Sequence, residues 1–173
     1  MSERILQARA KRLLELYRSQ GLRLATAESC TGGLVAAALT AIAGSSDVFD
    51  CSFVTYSNEA KKKLLGVPAA ILRRHGAVSG ETAAAMAKGA LKRSSADCAV
   101  SVTGIAGPNG GSDKKPVGLV YLAAAGRGGK LLARRCLFGK VGRRRVRELS
   151  VAEALDLLAR LVEREKSGDR QKA

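Results

Sequence analysis

The chain has 173 residues, a formal net charge of +15, one histidine, four cysteines, three Phe, three Tyr and no Trp. That length suits one domain with its own core; no apolar run approaches the ~18 residues of a membrane helix, and Ser2, Glu3 and Arg4 make a poor signal peptide, so a cytoplasmic protein without a membrane partner is expected. The excess of Lys and Arg predicts attraction to polyanions or phosphorylated small molecules, whereas the shortage of aromatic platforms argues against a dedicated single-strand binder and leaves nucleic acid a partner only through non-specific charge.

Residues 3–20 carry Ile5, Leu6, Leu13, Leu14, Leu16 and Tyr17 among Arg and Lys at helical spacing, an amphipathic helix that Gly21 can end. A strand is expected over Leu22–Ala27, then a tight turn through Ser29, then a helix over Gly33–Ile42 closed by Ala43-Gly44-Ser45-Ser46-Asp47. The second strand runs from Phe49 to Tyr56. Ser57 is a ready N-cap for a helix over Asn58–Leu65, Pro68 suits the first turn of a short helix reaching Arg74, and Ser79 caps an alanine-rich helix over Gly80–Lys92 that can approach a sheet closely. The third strand is Asp97–Val102. A glycine-rich stretch from Thr103 to Pro116 is too long for a simple connector. Val117–Ala125 and Lys130–Phe138 then read as a hairpin around Gly126-Arg127-Gly128-Gly129, and the last helix spans Gly142–Glu165. Helix crossovers join the first three strands and the hairpin adds an antiparallel pair, so the sheet is mixed. Residues 1–166 form a single domain, with a polar tail over 167–173.

Ser29, Tyr56 and Thr103 each follow an expected strand; if those strands are parallel, their hydroxyls gather on one rim of the sheet, where open α/β folds bind ligands. The run Thr26-Ala27-Glu28-Ser29-Cys30-Thr31-Gly32-Gly33 joins a strand to a helix N-terminus, whose N–H groups can hold an anion or an oxyanion; the plainer reading is a Ser/Thr-rich cap. Lys61 lies one turn inside the helix capped by Ser57, with Leu64 and Leu65 at i+3 and i+4. Held on that apolar face it becomes a neutral base for a serine, or else it lays its stem along the leucines and keeps its charge in water. His75 in Arg-Arg-His-Gly reads as a helix-end residue rather than a catalytic base, and Cys30 as a buried packing residue. The spread of Cys30, Cys51, Cys98 and Cys136 favours free thiols, and nothing around His75 has metal-ligand spacing, so neither metal nor cofactor is expected. Arg143 opens the last helix, where a guanidinium and helix N–H groups together suit a phosphate.

The runs Thr26–Gly33, Val54–Lys61, His75–Ser79 and Thr103–Gly111, followed by Lys115-Pro116-Val117-Gly118, resemble in order the CinA C-terminal domain family in its stand-alone form, the nicotinamide mononucleotide deamidases. The resemblance implies a metal-free, usually homo-oligomeric amidohydrolase that converts nicotinamide mononucleotide and water to nicotinate mononucleotide and ammonia. It also implies a three-layer α/β/α fold, an α/β sandwich whose mixed, mainly parallel central sheet ends in an antiparallel hairpin. The implied nucleophile is Ser29, the lysine base Lys61 and the associated tyrosine Tyr56. Thr103 matches a ligand-contacting position, Arg143 the arginine at the start of the last helix, and Ser46, in Gly44-Ser45-Ser46, a serine the family keeps; with N–H groups near Thr31–Gly33 or Thr103–Gly104 expected to hold the oxyanion, the expected substrate contacts are Thr31, Gly32, Ser46, Thr103, Gly104 and Arg143. The family commonly reads Gly-Asp-Arg before the last helix; Val141-Gly142-Arg143 keeps the arginine without the aspartate.

Overall fold

The computed structural model describes residues 3–169. In chain order its elements are α1 (Glu3–Arg18), β1 (Leu24–Glu28), α2 (Leu34–Thr40), a 3₁₀ turn (Ser45–Asp47), β2 (Phe49–Val54), α3 (Asn58–Leu65), α4 (Ala69–His75), α5 (Gly80–Lys92), β3 (Cys98–Gly104), β4 (Leu119–Gly126), β5 (Leu131–Leu137) and α6 (Arg143–Asp169). Among the described residues the strands form one five-stranded sheet in the order β2-β1-β3-β4-β5. β1 is parallel to both β2 and β3, and β3–β4 and β4–β5 are antiparallel. The fold is thus the expected α/β architecture, with a parallel half and an antiparallel half.

β1 sits between β2 and β3, so the crossover through α2 leads outward and the one through α3, α4 and α5 leads back. Right-handed connections running in opposite directions place their helices on opposite faces. The alternation of each strand serves those two faces. Leu24, Val100, Val102, Val120 and Leu122 share one cluster with Leu13 and Leu14 of α1, Val35 and Leu39 of α2, and Leu155 and Leu158 of α6. Ala25, Ala27, Ala99, Ala123 and Ala125 share the other with Ala83, Met86, Ala87 and Ala90 of α5. Burying a Leu or Val side chain is worth about 1.5–3 kcal/mol and a methyl-sized group about 0.8, so the first face supplies most of the apolar driving force. The second face gains proximity instead: a Cβ at Gly89 of α5 would lie 2.1 Å from the Leu65 carbonyl oxygen, which fixes the end of α3 against α5.

Local signals set most boundaries. Ser57 Oγ accepts the Ala60 N–H at 3.0 Å and Ser79 Oγ accepts the Thr82 N–H at 3.1 Å, so α3 and α5 begin where their caps require. Three expectations shift. β1 extends through Glu28. β3 extends through Gly104, because β4 pairs Tyr121 with Thr103 and Val120 with Gly104, so these two residues lie inside the strand rather than beyond it. The tail expected over 167–173 is helical as far as Asp169, and its last four positions lie outside the described residues. No helix among the described residues is long and apolar enough to cross a membrane.

Candidate active site

Three strand ends are tied together around Ser29. Its N–H donates to the Val102 carbonyl of β3 at 2.9 Å, and the Thr55 N–H beyond β2 donates to the Glu28 carbonyl at 2.8 Å. Into this junction α3 inserts Lys61, which is 1% exposed. Lys61 Nζ lies 3.0 Å from Ser29 Oγ, 2.8 Å from the Thr55 carbonyl oxygen and 3.4 Å from that of Tyr56. Leu65 shares the buried face, while Leu64 is exposed, so the inward stripe of α3 is narrower than its leucine pair implied.

Burial lowers the Lys61 pKa to about 8 from its ordinary 10.5, with the neighbouring Cys30 thiol pulling the other way. The three contacts match the three N–H groups of the ammonium, and loss of one proton leaves two N–H groups and a lone pair. The carbonyls of Thr55 and Tyr56 can only accept, so the proton the amine gives up is the one directed at Ser29 Oγ, and the lone pair this uncovers faces that hydroxyl. Such a contact can take a proton from the serine. Cys30, next along the chain, is 6% exposed, and burial pushes its thiol up to about 11, which suits packing and not attack.

The first N–H groups of α2 are taken up within the chain. The buried Glu28 carboxylate accepts the N–H groups of Gly33 at 3.0 Å, Val35 at 3.1 Å and Ala36 at 2.9 Å. The Gly32 N–H donates to the Ser29 carbonyl at 3.1 Å and the Leu34 N–H to that of Thr31 at 3.3 Å. Within the turn, only the N–H groups of Cys30 and Thr31 are not taken up by another residue. Gly32, with φ +59°, permits the left-handed bend that turns the chain from Ser29 into α2.

The remaining expected residues separate into near and far. Thr31 is fully buried and its hydroxyl meets no partner. Thr103 Oγ1 donates to the Ala77 carbonyl at 2.7 Å, tying the segment before α5 to the rim. Gly104 pairs with Val120 of β4, where a Cβ would come 2.7 Å from the Leu119 oxygen, so only glycine fits there. The Tyr56 ring is 62% exposed; its hydroxyl accepts from Arg143 at 3.0 Å and does not touch Lys61, which it meets only through its backbone carbonyl. Arg143 also donates to the Gly107 carbonyl at 2.9 Å and so joins α6, the glycine-rich loop and Tyr56 at the mouth of the site.

The model of the CinA C-terminal domain family matches residues 6–162, a span that contains every residue of this site. The chain belongs to the CinA C-terminal domain family. Among curated relatives, a CinA-like protein of Geobacter sulfurreducens is 53% identical over 145 residues, 84% of this chain and 35% of that protein. A putative competence-damage inducible protein of Symbiobacterium thermophilum is 61% identical over 113 residues, 65% of this chain and 26% of that one. The chain therefore spans about a third of the length of such relatives. Among solved structures, the competence/damage inducible protein CihA of Agrobacterium tumefaciens superposes with TM-score 0.90 at 50% identity, covering 93% of this chain and 96% of that one. A CinA superfamily protein from Escherichia coli gives 0.85 at 37% identity, covering 90% of each.

Within one copy of this CinA domain, Ser46 stands apart. It is exposed in the 3₁₀ turn that enters β2, where the Leu24 N–H donates to the Val48 carbonyl at 2.9 Å. That is the N-terminal edge of the parallel strands, and β1 alone puts about 13 Å between it and the Ser29 edge. Two residues of the CinA site escaped the sequence reading, Glu28 and Arg147. Arg147 donates to the Thr31 carbonyl at 2.7 Å; its spacing of four from Arg143 was the available signal, hidden in a run of basic residues. His75 Nδ1 lies 3.3 Å from Glu81 and makes no contact with Ser29 or Lys61, and all four cysteines are free. Among the described residues no three His, Cys, Asp or Glu side chains cluster closely enough to hold a metal ion.

Proposed function

We propose that this CinA domain is an amidohydrolase that cleaves the carboxamide of nicotinamide mononucleotide, with Ser29 as nucleophile and Lys61 as base. The 3.0 Å contact between a fully buried lysine and the serine hydroxyl carries this reading, because a domain that only bound nucleotides would have no use for so costly a burial. Neutral Lys61 takes the Ser29 proton as Oγ bonds to the amide carbon. The tetrahedral oxyanion is met by the Cys30 and Thr31 N–H groups, which no other residue takes up. Lys61 returns the proton to the leaving nitrogen, ammonia departs, and a water activated by the same lysine splits the acyl-serine to nicotinate mononucleotide.

The pyridinium charge makes the amide carbon more electrophilic, and the phosphate supplies binding energy remote from the bond that breaks. Arg143 suits that phosphate: both groups it touches, the Tyr56 hydroxyl and the Gly107 carbonyl, are neutral, so its charge is uncompensated there. The test is to incubate the purified protein with nicotinamide mononucleotide and follow ammonia and nicotinate mononucleotide. Ser29→Ala and Lys61→Met should each lower turnover at least about 10³-fold, some 4 kcal/mol of barrier, with circular dichroism unchanged. Product formation by Ser29→Ala at the wild-type rate would end the proposal.

A further inference from the structure

Arg147 lies one helical turn beyond Arg143 on α6 and reaches a segment 116 residues away in sequence, the turn that follows Ser29. Its guanidinium donates to the Thr31 carbonyl at 2.7 Å and is packed over Gly32, where a Cβ would stand 3.4 Å from it. It is half-buried, its Nε is sealed from solvent without a hydrogen-bond partner, and among the described residues no carboxylate lies within ion-pair distance. A guanidinium in such surroundings is an expensive way to satisfy one backbone carbonyl, since its charge loses hydration without gaining a counter-ion. Its field reaches the residue beside the serine: at the Cys30 thiol, Arg147 and Lys61 together oppose the upward push of burial.

The geometry of one peptide plane indicates what the contact does. The Thr31 carbonyl and the Gly32 N–H lie on opposite edges of the same rigid plane. One edge is held by Arg147 at 2.7 Å and more loosely by the Leu34 N–H at 3.3 Å, the other by the Ser29 carbonyl at 3.1 Å, so the plane cannot turn without breaking these bonds. The Cys30 N–H lies on the plane that carries the Ser29 carbonyl, so the Gly32–Ser29 bond links that plane to the one Arg147 holds.

We propose that Arg147 is a positioning residue of the Ser29 site, gripping the Thr31 carbonyl so that the Cys30 and Thr31 N–H groups face the oxyanion formed when Ser29 attacks. The proposal rests on the Ser29–Lys61 reading given above. Arg147 exchanges no proton and forms no covalent bond; it holds the turn and adds a fixed positive charge near the place where negative charge develops.

The test compares Arg147→Met, Arg147→Lys and Arg160→Met, the last removing an exposed charge from the far end of the same helix. Two readouts are taken: kcat and KM on nicotinamide mononucleotide, and the rate at which a fluorophosphonate labels Ser29, read by mass spectrometry. Removing one oxyanion-hole donor commonly costs about 10²–10³ in rate, so Arg147→Met is expected to lose roughly 100-fold in kcat and in labelling rate. Its KM should stay within about threefold and the pH midpoint of its labelling should not move, Arg147→Lys should recover at least about a tenth of the wild-type rate, and Arg160→Met should match wild type. A folded Arg147→Met enzyme with unchanged kcat, or with a change confined to KM, overturns the proposal. Should Arg147→Met fail to fold, Arg147→Gln, which keeps a donor for Thr31 without the charge, carries the same expectation at about tenfold, and wild-type rates in it overturn the proposal. The two readings fail differently: absence of labelling and of ammonia release in wild type removes the dyad itself, whereas wild-type labelling with an equally reactive Arg147→Met removes only the role of Arg147.

Discussion

The Glu28 carboxylate accepts the Gly33 N–H at 3.0 Å, and this bond decides what the Ser29 turn has left for a ligand. The same carboxylate accepts from Val35 and Ala36, so the positive end of α2 is neutralised from within the chain. The site thus draws on the turn itself and not on the helix terminus. Glu28→Gln puts an amide NH₂ against at least one of those three donors and removes the charge that strengthens all of them. The expected loss is about 3 kcal/mol of stability, from the usual worth of charge-assisted bonds and the cost of an unpaired buried donor. Urea unfolding of the two proteins checks it; a difference below about 1 kcal/mol would mean that the helix end is satisfied by other means.

With Lys61 as the proposed base, the reactivity of Ser29 should rise with pH. With its pKa lowered to about 8 by burial, only about a tenth of the lysine is neutral at pH 7. The rate of fluorophosphonate labelling at Ser29 should rise about tenfold from pH 6 to 7, bend near pH 8 and level off above it. Lys61→Met should label slowly at every pH. A wild-type profile flat between pH 6 and 9 would show that something other than this amine receives the serine proton.

The contact between Ser29 and Lys61 was legible because each residue is fixed by short-range chemistry. Ser57 sets the phase of α3, and Lys61, four residues on, must then share a face with Leu65 at i+4, which has to be buried. Ser29 follows a strand at a bend that needs Gly32 at positive φ. What the sequence withheld depends on distant partners. β3 takes in Thr103 and Gly104 because β4 pairs with them, and no local feature marks that extension. Glu28 reads as an acid ending a strand until α2 is seen to start over it. Arg147 is one of several arginines in a basic run, and only the placement of α6 against the Ser29 turn picks it out. Ser46 was assigned to the site by likeness alone; the parallel order of β1 and β2 puts the entrance of β2 at the opposite edge.

The buried lysine should also be visible as a stability change with pH. In the unfolded chain its ammonium titrates near 10.5, and in the folded protein near 8. Between those values the unfolded chain holds a proton that the folded one has released, so stability rises with pH across that window. Below pH 8 both states are protonated and the full cost of burying the charge is present. The swing amounts to roughly 3 kcal/mol. Because other groups titrate too, the measurement is the difference between wild type and Lys61→Met: wild type should gain by about that amount from pH 7 to pH 10.5. Parallel curves for the two proteins would place the ammonium in contact with water and remove the neutral base.

Tyr56 separates two roles that the sequence left together. A proton relay or an orienting bond to Lys61 requires the phenol at the lysine, but the hydroxyl accepts from Arg143 at 3.0 Å and the ring is 62% exposed. An exposed hydrogen bond of this kind is worth about 1 kcal/mol or less, and whatever it contributes passes through the placement of Arg143. Tyr56→Phe should therefore leave kcat and the pH dependence of Ser29 labelling unchanged and raise KM for nicotinamide mononucleotide by no more than about fivefold. Arg143→Ala should raise KM further, and adding Tyr56→Phe to it should cost almost nothing more, because the two side chains act through one contact. A fall in kcat of about 100-fold in Tyr56→Phe would instead return the phenol to the proton path and require it to swing toward Lys61 when substrate binds.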